Sequence, residues 1–444
     1  MKRLVIIGVL IVIWSPVFSS GLTLEEGLRV IASRSPEIEI SKEDEKVSIE
    51  DLAIVRSNLY PHLNLYARHS WLRYQPEALF GPFGPVPIAD RTSLTYGFEV
   101  RQLLFDFQRT SSLVEAALEG SAAKKHAVEV TKNNALLEFI IAYYDALEAE
   151  RLQELASQEV KRFEAHLADT RALLDEGLIT RNDLLQAEVL LTDARQNEIT
   201  MKNLYRTAIA NLNRLLLRPL EEDVTIKDNG DIRLPFQSIE AARETALSRR
   251  KELEALKAAI RAKQMELKSV KAEFYPTLFV AGGFQYEENP YMVHEGNWSL
   301  MAGLNLNLFG GGERFARIRK IEARIKRLEA ERRRLADLIA LEVQRSYLDS
   351  QSAAHKTTVT KKAVEQAEEN LRLQKLRYKE GLGTATEVTD AVTLLTLAET
   401  NQARAVYEKR RAVARLLRAT GDDLLIRYST GKEQSDDGRA DKGE

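Results

Sequence analysis

Few residues in this chain are spaced to do bond-making chemistry. Six histidines (His62, His69, His126, His166, His294 and His355) form no metal-ligand spacing, and no nucleophile stands out beside a base. Cysteine is absent, which removes disulfides, thiolate metal sites and a lipid-anchored N-terminal cysteine. "LFGGGERF" looks like a phosphate cradle, but no Gly-Lys-Ser/Thr follows and its glycines leave a strand. The reading is of a protein that is not an enzyme and holds no cofactor and no metal. What does recur is a turn: "DEGLITRND" at 175–183 and "KEGLGTATE" at 379–387. Gly177 and Gly381 suit the left-handed residue that ends a helix, with Leu178 and Leu382 for the accompanying apolar contact. Thr180 with Asp183, and Thr384 with Glu387, stand at capping-box spacing to start the next helix. A helical hairpin needs nothing more, so the local motif by itself has a complete structural reading beside any functional one.

The elements that carry these turns also come twice. "SNLYPHL" at 57–63 answers "AEFYPTL" at 272–278; "LLFDFQR" at 103–109 answers "NLFGGGER" at 307–314. "RTAIANLNRLL" at 206–216 answers "RRAVARLLRAT" at 410–420. The pattern predicts a first structural repeat over 21–216, a connector over 217–237, a second repeat over 238–420 and a tail over 421–444. Residues 1–20, with Lys2 and Arg3 before an apolar run too short to cross a bilayer comfortably, read as a secretory signal. The 444 residues are 29% charged at formal net charge −2, so nothing draws the whole chain to nucleic acid.

Within each repeat the apolar period changes. After the turn, Leu184, Ala187, Leu191 and Ala194 continue in steps of three and four, as do Val388, Ala391, Leu395 and Ala398, which predicts helices packed as coiled coils. Segments 92–105 and 297–309 alternate with period two, and 61–74 and 276–287 do so more roughly. Such alternation fits membrane β-barrel strands, and a half-buried soluble sheet nearly as well. The helices from Arg109 to Glu176 and from Glu313 to Glu380 would each span roughly 100 Å at about 1.5 Å per residue. Those at 181–216 and 385–420 return about half as far, and helices at 23–58 and 238–274 supply the other half. Four strands cannot close a barrel, and two hairpins cannot hide all their stripes. Several copies around an axis would do both, making a hollow tube. The basic run 314–334 then falls just below the predicted membrane; a solvated helix face is its first reading, contact with phospholipid head groups its second.

The Tyr-Pro entries (Tyr60-Pro61, Tyr275-Pro276), the Leu-Phe exits followed by Arg, both Gly-Leu turns and the tandem duplication together resemble the outer-membrane efflux protein family, the TolC-like exit ducts of Gram-negative bacteria. The resemblance covers about 23–420. It implies a mainly α fold with β: long antiparallel coiled-coil helices forming an α-barrel, and four strands per protomer in a trimeric 12-stranded transmembrane β-barrel. Also implied are an outer-membrane location reaching into the periplasm, contact with outer-membrane lipid, and an equatorial belt at 217–237 and after 420. The partners would be a periplasmic adaptor docking at the turn tips (Gly177, Leu178, Thr180, Gly381, Leu382, Thr384) and an inner-membrane pump, in efflux or type I secretion. By the same resemblance Asp183, Tyr378, Glu387 and Asp390 match a gate near the tips. The family's gate arginine matches Gly383 here, with Arg181 offered as a substitute. For Asp183 and Glu387 the capping role competes with the gate. The rival reading is a non-channel periplasmic scaffold or adaptor.

Asp390 lies outside both caps, and a ring of such carboxylates at a constriction favours cations. Replacing Asp390 by Ala is expected to lower cation selectivity in single-channel recordings; unchanged selectivity would remove the residue from the pore.

Overall fold

The computed structural model describes residues 21–228, 230–232, 236 and 238–430. The expected signal at 1–20, the end of the tail and five connector positions lie outside them. The described residues divide into two compact units. Glu39–Thr131 with Arg250–Ile339 form a strand unit; the residues up to Ile38, Lys132–Arg249 and those from Ala340 on form a hairpin unit.

The chain begins with α1 (Leu24–Arg34) and α2 (Pro36–Ser57) where sequence reading expects one helix. Thr23 and Glu26 close a capping box at the start of α1. The break falls on Ser35, which is extended (φ −60°, ψ 128°) because the residue before a proline is pushed out of helical geometry. Strand β1 (His62–Trp71) follows, then a small ribbon of β2 (Glu77–Leu79) and β3 (Pro85–Pro87) inside the Pro/Gly-rich loop, then β4 (Thr92–Phe105). Helices α3 (Arg109–Asp175) and α4 (Arg181–Leu215) make the first hairpin. The second repeat brings α5 (Ile239–Arg249), α6 (Lys251–Ala272), β5 (Thr277–Glu287), β6 (Gly296–Asn305), α7 (Glu313–Lys379) and α8 (Ala385–Ala419). It too is broken near its start, at extended Arg250, with no proline to announce it. A last helix, α9 (Leu424–Thr430), lies within the expected tail.

In the strand unit the four long strands form one antiparallel sheet in the order β1-β4-β5-β6. Strand β6 stops at Asn305 rather than running to 309, because its partner begins at Thr277, just after Pro276, which has no N–H to donate. Register places Leu65, Phe98, Phe284 and Trp298 on one face. There Tyr96 stacks on Tyr286 at 4.8 Å, and Trp298 meets both Phe98 and Phe284. That face is open: Leu65 and Leu300 are each 84% exposed. On the other face Gly97 and Gly283 admit close backbone approach. A Cβ at either would stand 2.3 or 2.2 Å from a carbonyl oxygen of the neighbouring strand.

In the hairpin unit the main core gathers Leu28 and Ile31 of α1, Phe139 and Tyr143 of α3, Leu212 of α4, Leu417 of α8 and Leu424 of α9. The connector is tied to it. Leu22 and Ile226 bridge in parallel, and the Tyr143 hydroxyl lies 2.9 Å from the Leu22 carbonyl and 2.6 Å from that of Lys227. Arg410 pairs with Asp228 and Asp231 at 2.7 and 3.0 Å. The connector is therefore clamped to the core by a buried hydroxyl and by ion pairs from a mostly buried guanidinium. Tyr143→Phe would remove the hydroxyl that reaches both carbonyls, leaving that of Leu22 only the Lys227 N–H, and is expected to cost about 1–3 kcal/mol. Denaturant unfolding should show it as a lower midpoint with unchanged slope.

Candidate functional site: the helix-turn tips and the seam behind them

Both tips are built alike, from backbone upward. Gly177 and Gly381 hold φ of +73° and +69°, and each lets the next leucine reach back across the turn. Leu178 N–H donates to the Leu173 carbonyl at 2.9 Å and Leu382 N–H to that of Arg377 at 2.8 Å. This closure satisfies carbonyls that a helix end would leave bare. It also thrusts both leucines outward, where Leu178 is 67% and Leu382 73% exposed. Each following helix opens on a complete capping box. Thr180 N–H donates to Asp183 at 2.9 Å and Asp183 N–H to the Thr180 hydroxyl at 3.4 Å. Thr384 N–H donates to Glu387 at 3.0 Å and Glu387 N–H to the Thr384 hydroxyl at 3.2 Å. The hydroxyl and N–H of Thr180 hold the Asp183 carboxyl below the usual carboxylate range.

The four residues matched to a gate thus differ in setting. Asp183 and Glu387 are engaged in caps, whereas Asp390 is exposed on the first turns of α8. Tyr378 is buried, packed with Leu173, Ala385 and Val388 and 5.9 Å from the ring of His166. Burial pushes its phenol up, against the influence of the Thr170 hydroxyl, which itself donates to the His166 carbonyl. Gly383 leaves no room for a side chain without adjustment. A Cβ there would meet Glu387 Oε2 at 3.1 Å and the Cβ of Arg377 at 3.2 Å. The cation beside this tip is Arg377, which donates to the Leu382 carbonyl at 3.3 Å and stands 3.8 Å from Glu387. Arg181, the substitute suggested by sequence, is exposed and makes no ion pair among the described residues.

Behind the tips lies a seam between the hairpins, where the expected stripes of α4 and α8 pack as coiled coils and whose polar part sequence reading missed. Its apolar part interleaves Phe163 and Leu167 of α3, Leu191 of α4, Leu371 of α7 and Leu395 of α8. Polar contacts here cross from α3 to α8. Arg162 forks onto Glu399 with two bonds of 2.7 Å, both side chains mostly buried, and paired bonds of this kind are the strong ones. One turn on, His166 lies buried with Nε2 3.4 Å from the Thr389 hydroxyl. Burial lowers the His166 pKa from the usual 6.5; Asp169 acts against this and Lys375 with it. No local signal announces either pair, because the partners are more than two hundred residues apart in sequence.

Comparison with known proteins agrees with this geometry. The sequence pattern of the outer membrane efflux protein family matches residues 28–216 and 242–422. The chain is 24% identical over 413 residues to the alkaline protease secretion protein AprF of Pseudomonas aeruginosa, covering 89% of this chain and 83% of that one. Against the outer membrane efflux protein BepC of Brucella suis it is 24% identical over 344 residues, 76% of this chain and 74% of the other. A solved membrane protein from Pseudomonas aeruginosa superposes with a TM-score of 0.78 at 20% identity, covering 91% and 92% of the two chains.

The buried histidine makes the seam sensitive to acid. Below pH 6.5 the unfolded chain takes up a proton that folded His166 resists, so its contribution is complete above 6.5 and falls as pH drops towards the lower folded pKa. The loss is expected at up to about 1.4 kcal/mol per pH unit over that window. Asp183 shifts in the acid range below 3.8 and does not overlap it. Hydrogen exchange across 166–180 and 378–389 should therefore quicken as pH falls below about 6.5. In His166→Gln the exchange, corrected for intrinsic rate, should become flat with pH; a persistent pH dependence would assign it elsewhere.

Proposed function

Because the chain belongs to the outer membrane efflux protein family, we propose that it serves as the exit duct of a tripartite efflux or type I secretion assembly. It is an outer-membrane channel, extending into the periplasm. Three copies would pool their four-stranded sheets into one closed barrel and their helices into a periplasmic tunnel. The observation that carries this reading is the sheet in the order β1-β4-β5-β6. Its outer strands each have one neighbour, and its apolar face is open. In hydrocarbon every backbone N–H and C=O must be paired, so such a sheet is complete only when β1 of one copy meets β6 of the next.

The tips have the properties of a docking end: two identical turns, each presenting an exposed leucine beside a capped helix start. In the proposed trimer a periplasmic adaptor would meet six of them and link the duct to an inner-membrane pump. Asp390 would line the constriction, and the Arg162–Glu399 and His166–Thr389 contacts would hold the hairpins in register behind it. No step of the transport consumes energy here. AprF, named for protease secretion, and BepC, named for efflux, are equally similar to this chain at 24% identity. That supports a generic conduit over the scaffold reading.

Two measurements test the proposal together. Membrane fractionation with chemical cross-linking should recover the chain in the outer membrane with a ladder ending at three. Reconstitution into a planar bilayer should give ion-conducting steps. A monomer released as a soluble protein, or a correctly inserted trimer that never conducts under any opening mutation of the tip, would end this reading.

A further inference from the structure

Below the helix-bearing end of the sheet, α3, α6 and α7 enclose a groove of about 290 Å³. It is lined by Arg109, Glu273, Arg317, Lys320 and Arg324 over a floor that includes buried Ile321. Its charges do not balance. Glu273 is shared between Arg109 at 3.3 Å and Arg317 at 3.2 Å, while Glu266, the other carboxylate of the groove, pairs with Lys263. Lys320 and Arg324, one turn apart on α7, have no ion-pair partner among the described residues. Arg314, just above, is occupied with the Glu273 carbonyl at 2.9 Å and the ring of Phe274.

What lies above the groove says what such charge would meet. Phe105 pairs in register with Leu278, and through the strand pairing Leu278 shares its face with Leu304, on the open apolar side of the sheet. From Phe105 an aromatic chain continues: Phe107 lies 4.8 Å from Phe105 and stacks on Tyr275 at 4.8 Å. All three are exposed. Two residues along each chain from the Phe107–Tyr275 stack are Arg109 and Glu273, which meet at the mouth of the groove. Exposed aromatics at the end of an apolar strand face mark the level where hydrocarbon gives way to head groups. Lys320 lies about 8 Å and Arg324 about 14 Å along α7 from the exposed Phe315, and long basic side chains reach back towards the interface.

We propose that this groove binds the phosphate of an anionic phospholipid of the periplasmic leaflet, with Lys320 and Arg324 as its free cations and Arg109 and Arg317 preset by Glu273. The proposal rests on the reading of the sheet as membrane-inserted, and goes beyond it by naming a lipid head-group site. A diffuse basic surface would be indifferent to which cations are removed. A built groove is not, because Arg109 and Arg317 are already paired and only the other two are available.

The test uses the full-length protein in nanodiscs mixing phosphatidylglycerol with phosphatidylcholine, after fractionation has confirmed outer-membrane insertion. Native mass spectrometry of the released protein should show retained phosphatidylglycerol in excess over its share of the disc. In Lys320→Gln/Arg324→Gln that excess should fall about tenfold. In Arg332→Gln/Arg333→Gln, further along the same helix, it should stay. Raising salt on the wild type should release phosphatidylglycerol and leave phosphatidylcholine unchanged, which keeps the question answerable if the double variant fails to assemble. An inserted protein with no preference for the anionic lipid, or a preference that survives in the double variant, overturns the site. Displacement of the retained lipid by inorganic phosphate alone, at unchanged ionic strength, would assign the groove to a soluble oxyanion and overturn the lipid. A chain recovered outside the outer membrane sinks the parent reading instead, so the two failures are distinct.

Discussion

The edge of a β-sheet is the constraint on which the rest turns. Strands β1 and β6 each present a row of backbone groups with no strand partner among the described residues, and among these residues nothing covers the apolar face of the sheet between them. In water such an edge invites uncontrolled pairing; in lipid each unpaired group is expensive by several kcal/mol. The two liabilities cancel only when edges close on edges and the apolar face meets hydrocarbon. The helices follow the strand pairs closely along the chain: α3 starts four residues after β4 and α7 eight residues after β6.

Duplication serves that constraint economically. A single repeat offers one hairpin of strands and one of helices, too small for a barrel wall. Two in tandem give a sheet whose central pair, β4 with β5, is made between repeats. The same doubling produces two turns with matching left-handed glycines, matching back-bonds and matching caps. It does not produce identical surroundings. Helix α8 buries Thr389, Val392, Tyr407, Val413 and Leu417 beyond its single stripe, whereas α4 buries a narrower set. One repeat's return helix sits deeper in the hairpin unit than the other's.

That asymmetry separates what could be read from sequence and what could not. The turns were legible because their physics is local: a glycine, a leucine and a Thr-x-x-acid spacing determine geometry within a few residues. The strands were legible by alternation, and their ends only by knowing the partner, which is why β6 was drawn four residues too long. Of the two helix breaks, Ser35 has a proline to betray it, whereas Arg250 has none and is held by its buried bonds to Glu252. His166 and Arg162 carried no signal at all. Their meaning lies in Thr389 and Glu399 on another helix, and a lone histidine in a helical run reads as any other. Arg377 was hidden for a related reason: attention falls on the position after the turn, while the side chain that reaches the turn starts before it.

The seam and the caps do different physical work, and the difference bears on how one hairpin can move against the other. A capping box is a short-range bond that moves with its own helix; sliding one hairpin past the other leaves Asp183 and Glu387 where they are. The contacts that must break in such a slide are those between hairpins. They include the Arg162–Glu399 fork, the His166–Thr389 contact, the bonds from Arg411 to Asp145 and Glu148, and the packing of Tyr378 on Leu173. Apolar side chains alone would let register drift by small steps, since Leu and Ala knobs along α8 are nearly interchangeable. A directional fork of two 2.7 Å bonds has one good geometry and penalises the neighbouring ones. Because both of its members are mostly buried, losing one partner without water to replace it is more costly than any single apolar contact around it. The seam therefore favours discrete positions of the hairpins over a continuum.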